Sequence, residues 1–254
     1  MQRGDVTVLS ISTVLAAVVI AAVTYSVIVL DRSPNTSASE RTDSSWLVVT
    51  WGPSFCAVEP SNSICESGEI GDMGRTLILH GLWPQPPENQ YCGVSKTLVD
   101  RERNHRGSDM PPLELSDDVR TSLQSVMVNS ANLAPHEWYT HGTCSGVTPN
   151  EYFGDAAALT EQVRQVLDPV FKSAEGGQIT LGAVRDRIEE EFDAGGAEHV
   201  GLACRTGTGG AAVVVDVRLS LPRVVDMSAD GLSLGDLLAK SPPISSDCQQ
   251  GSIP

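Results

Sequence analysis

Six cysteines limit what this chain can fold into, because they decide what holds the folded domain together. They are Cys56, Cys65, Cys92, Cys144, Cys204 and Cys248, and all of them follow an apolar N-terminal segment. An even number of cysteines in an exported domain favours disulfides over metal ligation or a reactive thiol. Cys144 stands near His141, but an even set leaves no spare thiol for nucleophilic catalysis. Sequence alone allows fifteen pairings, so we predict a disulfide-stapled domain whose connectivity stays open.

The apolar N-terminal segment runs from Val6 to Leu30 without a charged residue. A helix of this length crosses the roughly 30 Å apolar layer of a bilayer, and no clear small-x-small cleavage site follows it. We therefore predict a transmembrane anchor or signal segment over 1–30, a flexible polar linker over 31–45 and the folded domain over 46–254. The protein is expected to be extracytoplasmic, either anchored in the membrane by this segment or secreted after cleavage.

A second feature is the stretch PHEWYTHGTCSG, from Pro135 to Gly146, which concentrates side chains that carry chemistry. If the stretch is helical, Glu137 and His141 share one face and can form a hydrogen bond. A carboxylate that orients one imidazole, with His136 nearby, suits general acid–base catalysis at mildly acidic to neutral pH.

A zinc site is the alternative for this stretch, because His-Glu followed by a second His is similar to HExxH. His136 and His141 are five residues apart, however, which turns the second imidazole about 140° from the first on a regular helix. On a regular helix the two rings therefore cannot bind the same ion, and metal-free catalysis is favoured.

The third feature is TLILHGLWPQP, from Thr76 to Pro86. Its apolar, partly β-branched start predicts a buried strand that ends at His80 and passes into a loop at Gly81 and Pro84. Trp83 is then available as a stacking surface. Alternatively, His80 is a hydrogen-bonded residue at a strand end and Trp83 belongs to the core.

The remaining pattern alternates helices with pairs of strands. Helices are predicted from a Ser116 N-cap, from the Thr148–Glu151 capping box to about Leu167, and over Thr180–Phe192. Strands are predicted from Trp46, over Val200–Cys204 and over Ala211–Leu219, and residues 87–112 read as a polar surface loop. Helices between separated strand pairs predict an α+β domain with an antiparallel sheet flanked by helices.

HGLWPQ, followed some fifty residues later by HEWYTHGTC, resembles the two active-site segments of the ribonuclease T2 family. The family consists of acid ribonucleases with little base preference. The resemblance implies an antiparallel sheet flanked by helices, and the disulfides Cys92 with Cys144, Cys204 with Cys248 and Cys56 with Cys65. It also implies an endoribonuclease that cleaves single-stranded RNA by transphosphorylation through a 2′,3′-cyclic phosphate.

The resemblance further implies a role for each residue of the two motifs. His80 and His141 would be the acid–base pair, with His141 favoured as base, and Glu137 would orient or polarise the reacting centre. The predicted substrate-binding residues are His136 for phosphate, Trp83 for base stacking, Gln85 for base preference, and Trp138. No cofactor, metal or obligate protein partner is implied; RNA is the expected substrate, and the protein is expected to be a monomer.

Two features qualify this expectation. The formal net charge of −15 repels a polyanion on average and counts against a tight nucleic-acid binder. Family members usually carry Lys where this chain has Thr140, and losing one such donor costs roughly a hundred- to a thousandfold in rate. Either the enzyme is slow or one of Arg75, Lys96 and Arg101 takes over. The alternative is a catalytically weak RNA-binding or interaction protein on the same fold.

Overall fold

The computed structural model describes residues 42–105, 110–192, 195–227 and 232–254. The predicted apolar segment lies outside these residues, as does most of the predicted linker. Within the described ranges, no helix combines the length and apolar character needed to cross a bilayer.

Six strands of the described chain form one sheet. They are β1 (Ser44–Trp51), β2 (Leu77–Gln85), β3 (Gly177–Thr180), β4 (Val200–Thr206), β5 (Ala212–Leu221) and β6 (Gln250–Ile253). The order is β2-β1-β5-β6-β3, with β4 also paired to β5. All pairs are antiparallel except β5 with β6. The predicted α+β class is confirmed, and β1 begins at Ser44 rather than at Trp46.

Helices flank this sheet and connect its strands. They are α1 (Gly52–Val58), α2 (Ser63–Glu66), α3 (Glu69–Asp72), α4 (Lys96–His105), α5 (Asp117–Val126), α6 (Ser130–Thr140), α7 (Pro149–Ser173), α8 (Leu181–Phe192) and α9 (Leu234–Lys240). The predicted caps are present, since Ser116 accepts from the Val119 N–H and Thr148 forms a capping box with Glu151.

Helix α7 forms the main hydrophobic core with β1 and β2. Its buried side chains face the sheet, and the rings of Trp51 and Phe171 lie 5.3 Å apart. The helix was predicted to end near Leu167 but continues to Ser173. Pro169 removes one helical hydrogen bond, yet the fully buried Phe171 keeps the following turn packed on the core.

Strand β2 does not end at His80, so the predicted loop from Gly81 onwards is wrong. The strand continues through Gln85, with Leu82 opposite Leu47 and Pro84 opposite Ser45 on β1. Proline is tolerated because β2 is at the end of the strand order, where a missing N–H on the outer side costs no hydrogen bond between strands.

A β-bulge occurs at His80. Val48 pairs with Gly81 whereas Val49 pairs with Leu79, so His80 is the extra residue on β2. Bulges bend a strand and redirect a side chain, and they are frequent next to active sites. The bulge therefore gives His80 a direction that simple alternation along the strand does not predict.

Helix α7 holds β2 on both sides of this bulge. The Tyr152 hydroxyl donates to the Leu82 carbonyl at 2.5 Å, and Arg164 donates to the Leu77 carbonyl at 2.6 Å. The Asp168 carboxylate accepts from the Leu77 N–H at 2.9 Å. The backbone that carries His80 is thus fixed by buried polar groups of the core helix.

All three disulfides implied by the family resemblance are present. Cys92–Cys144 joins the segment after β2 to the 3-10 turn after α6, Cys56–Cys65 links α1 to α2, and Cys204–Cys248 links β4 to the chain before β6. Residues 87–112 were predicted to be an irregular surface loop, which is wrong in part because they contain α4.

Candidate active site

The end of helix α6 carries the second motif. The helix includes His136 and Glu137 and ends at Thr140; His141 is its C-cap, and the His141 N–H donates to the Glu137 carbonyl at 2.9 Å. The predicted helical spacing of Glu137 and His141 is therefore kept, although His141 itself stands just past the helix. A 3-10 turn, Gly142–Cys144, then carries the chain to the disulfide.

The Trp83 indole brings the two motifs together. Its Nε1–H donates to Glu137 Oε2 at 2.8 Å. The His141 ring stacks on Trp83 with 5.2 Å between centroids, and the His80 ring meets the indole edge-on at 5.1 Å. Two imidazoles that are distant in sequence thus share one aromatic neighbour beside a buried carboxylate.

Two glycines in the motifs are required by close packing. A Cβ on Gly81 would overlap the Glu137 carboxylate and Trp83 Nε1, and one on Gly142 would overlap the Trp138 ring. The first glycine therefore allows β2 and α6 to approach closely enough for the indole–carboxylate hydrogen bond.

Asp216 on β5 stands behind His80. Its Oδ1 accepts from the Thr50 hydroxyl at 2.5 Å and lies 3.7 Å from His80 Nδ1. Desolvation of the His80 ring lowers its pKa, but the Asp216 carboxylate and the charge of Glu137 outweigh this, and the net pKa of His80 is raised. Desolvation likewise opposes ionisation of Asp216, yet His80 and Thr50 hold the pKa of that carboxyl below its usual value.

His141 is shifted in the opposite direction. Desolvation is the main cause, and although the charge of Glu137 opposes it, the neighbouring His136 and His80 add to it, so the pKa of His141 is lowered. Groups whose surroundings push their pKa values apart are suited to act as an acid and a base in one reaction. Between the two values His80 holds its proton while His141 is free to accept one.

His136 contacts a carboxylate that lies outside both motifs. Its Nδ1 is 2.6 Å from Glu102 Oε1 on α4, and its Nε2 is 3.7 Å from Glu137 Oε1. The other Glu102 oxygen accepts from the Tyr91 hydroxyl at 2.5 Å. Helix α4, predicted as loop, therefore contributes directly to the site.

Thr140, which stands where family members usually carry a lysine, is buried. Thr140 is 6% exposed, and its carbonyl accepts the Tyr91 N–H at 2.9 Å. Of the cations suggested as substitutes, Arg75 pairs with Glu175 and Lys96 with Asp100. The arginine whose charge reaches His80 is Arg205 on β4, and it lowers the pKa of that ring.

Arg205 contacts helix α1, which lies next to the site. Its guanidinium lies 5.7 Å from the centroid of the Phe55 ring and pairs with Glu59 at 3.2 Å. Phe55 in turn lines a cavity of about 180 Å³ next to His80. The cavity walls are mostly apolar, with Thr50 and Asn62 as polar groups beside His80, and small-molecule sites commonly have this composition.

The remaining predicted site residues differ in their surroundings. Gln85 is buried next to Trp83, and its Nε2 donates to the Trp83 carbonyl at 3.1 Å. Trp138 packs edge-on against Tyr152 at the margin of the core, with 5.6 Å between ring centroids. Substrate binding by Gln85 and Trp138 stays a prediction, and packing already accounts for Trp138.

The zinc alternative finds no ligand set in the described ranges. No group of three or more histidine, cysteine, aspartate or glutamate side chains there is arranged to hold a metal ion. His136 is turned towards Glu102, whereas His141 stacks on Trp83.

Motif-based reasoning missed the supporting residues Asp216, Thr50, Glu102, Tyr91 and Arg205. Asp216 had a detectable signal, since it is one carboxylate within the apolar strand AVVVDVRLSL. A buried charge is costly unless it is paired, so a charge in such a strand indicates a partner. Glu102 had no such signal, because it stands among other charged residues.

Comparison with known proteins identifies one family. The model of the Ribonuclease T2 family matches residues 42–228. Ribonuclease MC of Momordica charantia is 28% identical over 169 residues, which cover 65% of this chain and 80% of the relative. Ribonuclease I of Escherichia coli (strain K12) is 24% identical over 204 residues, which cover 69% and 73%.

Solved structures show the same fold. A crystal structure of an RNase MC1 mutant in complex with 5′-GMP has a TM-score of 0.57 at 22% identity, covering 84% of this chain and 100% of that chain. RNase NT in complex with 5′-AMP has a TM-score of 0.53 at 19% identity, with coverages of 84% and 98%.

The match to the family model, together with relatives that are themselves ribonucleases, defines an enzyme of the endoribonuclease class. With the family model matching most of its length, the chain belongs to the ribonuclease T2 family.

Proposed function

We propose that this protein cleaves single-stranded RNA by transphosphorylation, with His141 as general base and His80 as general acid. His141 removes the proton of a ribose 2′-hydroxyl, whose oxygen forms a bond to the adjacent phosphorus. The bond from phosphorus to the 5′-oxygen breaks, and His80 donates its proton to that oxygen. The products are a 2′,3′-cyclic phosphate and a free 5′-hydroxyl, with no metal or cofactor required.

The opposite pKa shifts of the two histidines carry this assignment. Asp216 raises the pKa of His80 against the effect of desolvation, whereas desolvation and, to a lesser extent, the neighbouring imidazoles lower the pKa of His141. Because both rings contact Trp83, one phosphodiester placed against the indole lies within reach of both.

The other motif residues support binding of the substrate. Glu137, held by the Trp83 indole, would polarise the reacting centre, and His136 would bind the phosphate. Trp83 would stack on a base, which accords with weak sequence preference because every base offers a π-face. The cavity next to His80 would receive a second base, with Thr50 and Asn62 as its polar contacts.

The proposal also includes a location outside the cytoplasm. The apolar segment over 6–30 and the disulfides support an extracytoplasmic protein, either membrane-anchored or secreted. We propose a monomer that acts on RNA without an obligate protein partner.

RNA turnover by the two alanine variants tests the mechanism. His80→Ala and His141→Ala should each lower kcat on the order of a hundred- to ten-thousandfold, the usual worth of a positioned acid or base. The cyclic phosphate should be detected by mass spectrometry as the first product of the unaltered protein. His199→Ala is the matched control, since this histidine contacts Ser241 and lies outside both motifs.

Each competing function gives a different result. Binding of RNA without turnover by the unaltered protein would support the alternative of a weak binding or interaction protein. Activity abolished by a chelator and restored by zinc would support a zinc hydrolase. Full activity of either alanine variant would overturn the proposed acid–base pair.

A further inference from the structure

Glu102 is a buried carboxylate that the proposed mechanism does not use. It is 5% exposed, although its helix neighbours Arg101 and Arg103 are exposed. Both of its oxygens are occupied, one by His136 Nδ1 at 2.6 Å and the other by the Tyr91 hydroxyl at 2.5 Å. Burial of a carboxylate is costly unless it is paired and hydrogen-bonded, so this arrangement indicates a specific task.

The contact fixes the His136 imidazole. A carboxylate on Nδ1 keeps the proton on that nitrogen and sets the ring orientation. Nε2 then faces Glu137 Oε1 at 3.7 Å, on the side of Trp83 and the two catalytic histidines. This orientation points Nε2 towards the place where the phosphate would bind, so an Nε2–H of His136 can donate to it.

Tyr91 locks this carboxylate in turn. Its N–H donates to the Thr140 carbonyl at 2.9 Å, and the next residue, Cys92, is bonded to Cys144. Desolvation raises the pKa of the Tyr91 phenol, and the hydrogen bond to Glu102 raises it further. The phenol therefore stays protonated and remains a donor to Glu102.

We propose that Glu102 is a positioning residue that holds His136 as the phosphate-binding donor of the site. This inference rests on the proposed ribonuclease function. Thr140 stands where family members usually carry a lysine, and it is buried beneath Tyr91, so it does not contact the phosphate. We assign this contact to His136, held in place by Glu102.

Steady-state kinetics on a defined dinucleoside phosphate test the inference. Glu102→Gln should raise KM about tenfold, the value of one hydrogen bond to a charged group, with a smaller effect on kcat. Tyr91→Phe should change KM in the same direction by less, because the carboxylate remains. Asp100→Asn is the matched control, since it removes an exposed carboxylate from the same helix.

A double-mutant cycle separates positioning from a merely structural role. If Glu102 acts through His136, then Glu102→Gln should have no further effect on KM once His136→Ala is present. Nitrogen-15 NMR of the histidines should show a proton on His136 Nδ1 in the unaltered protein, whatever the state of Nε2, and its loss in Glu102→Ala.

The outcomes distinguish this inference from the function on which it rests. An unchanged KM in Glu102→Gln, or additive effects in the cycle, overturns the positioning role even if His80→Ala is inactive. Full turnover by His80→Ala overturns the proposed function itself. If Glu102→Ala does not fold, the isosteric Glu102→Gln variant and its NMR spectrum still decide the question.

Discussion

The chemistry of the two histidines depends on the group that each ring faces. His80 has Asp216 behind its Nδ1, whereas His141 lies against an indole and feels the charge of two other imidazoles. Activity should therefore rise as pH increases through the lowered pKa of His141 and fall through the raised pKa of His80. The optimum should lie between these values, and an alkaline optimum would contradict the assignment.

Asp216→Asn should move one limb of this profile. Without the carboxylate the pKa of His80 falls, because its main opposing influence, desolvation, remains. The acid then loses its proton at lower pH, so the alkaline limb of kcat/KM shifts towards acid while the acidic limb stays in place. The measurement is a pH profile of kcat/KM, with Asp226→Asn, an exposed aspartate paired with Arg223, as control. If the acidic limb moved instead, the result would identify His80 as the base and His141 as the acid.

At this scale, sequence was informative where several chemical groups stand close together. His80, Glu137 and His141 were recognised because each belongs to a dense motif, and the structure gathers their side chains at Trp83. Thr50 and Asp216 are single polar residues on different strands. Only the β1–β5 register, which places them directly opposite each other, makes them a unit.

For helices and strands too, features set by neighbouring residues were predictable from the sequence, and features set by distant residues were not. The capping box of α7 was predictable because its hydrogen bonds lie within four residues. The continuation of β2 past Gly81 and Pro84 was not, because it depends on pairing with β1 and on anchors from α7. The bulge that turns His80 into the site is likewise a property of two strands.

The disulfide Cys92–Cys144 should contribute more than Cys56–Cys65 to both stability and activity. The pairs span 52 and 9 residues. On the loop-entropy model, they stabilise by about 4 and about 2.5 kcal/mol respectively. The Cys92→Ser/Cys144→Ser protein should therefore unfold at lower urea concentration than Cys56→Ser/Cys65→Ser.

The two disulfides should also differ in their effect on catalysis. Only Cys92–Cys144 ties the Tyr91 segment to the end of α6, so its removal should also raise KM under conditions where both variants are folded. Equal activities of the two folded variants would show that hydrogen bonds alone hold this segment in place.

The molecule as a whole carries a charge that opposes its substrate. Its net charge is −15 and its sequence pI is about 4.6. A polyanion is repelled on approach, whereas the site itself offers local donors such as His80 and His136. Long-range repulsion and short-range attraction differ in their response to salt, because screening acts mainly on the longer distances.

We therefore expect KM for RNA to fall as salt rises from about 0.01 M to about 0.1 M, where the screening length shrinks from roughly 30 to roughly 10 Å. A basic RNA-binding protein shows the opposite sign, because added salt weakens its many phosphate contacts. The measurement is KM against sodium chloride at constant pH, for a long single strand and for a dinucleoside phosphate. The short substrate, with a single phosphate charge, should respond much less. A KM for the long strand that rises steadily from the lowest salt would mean that a cationic path along the surface guides the RNA despite the net charge.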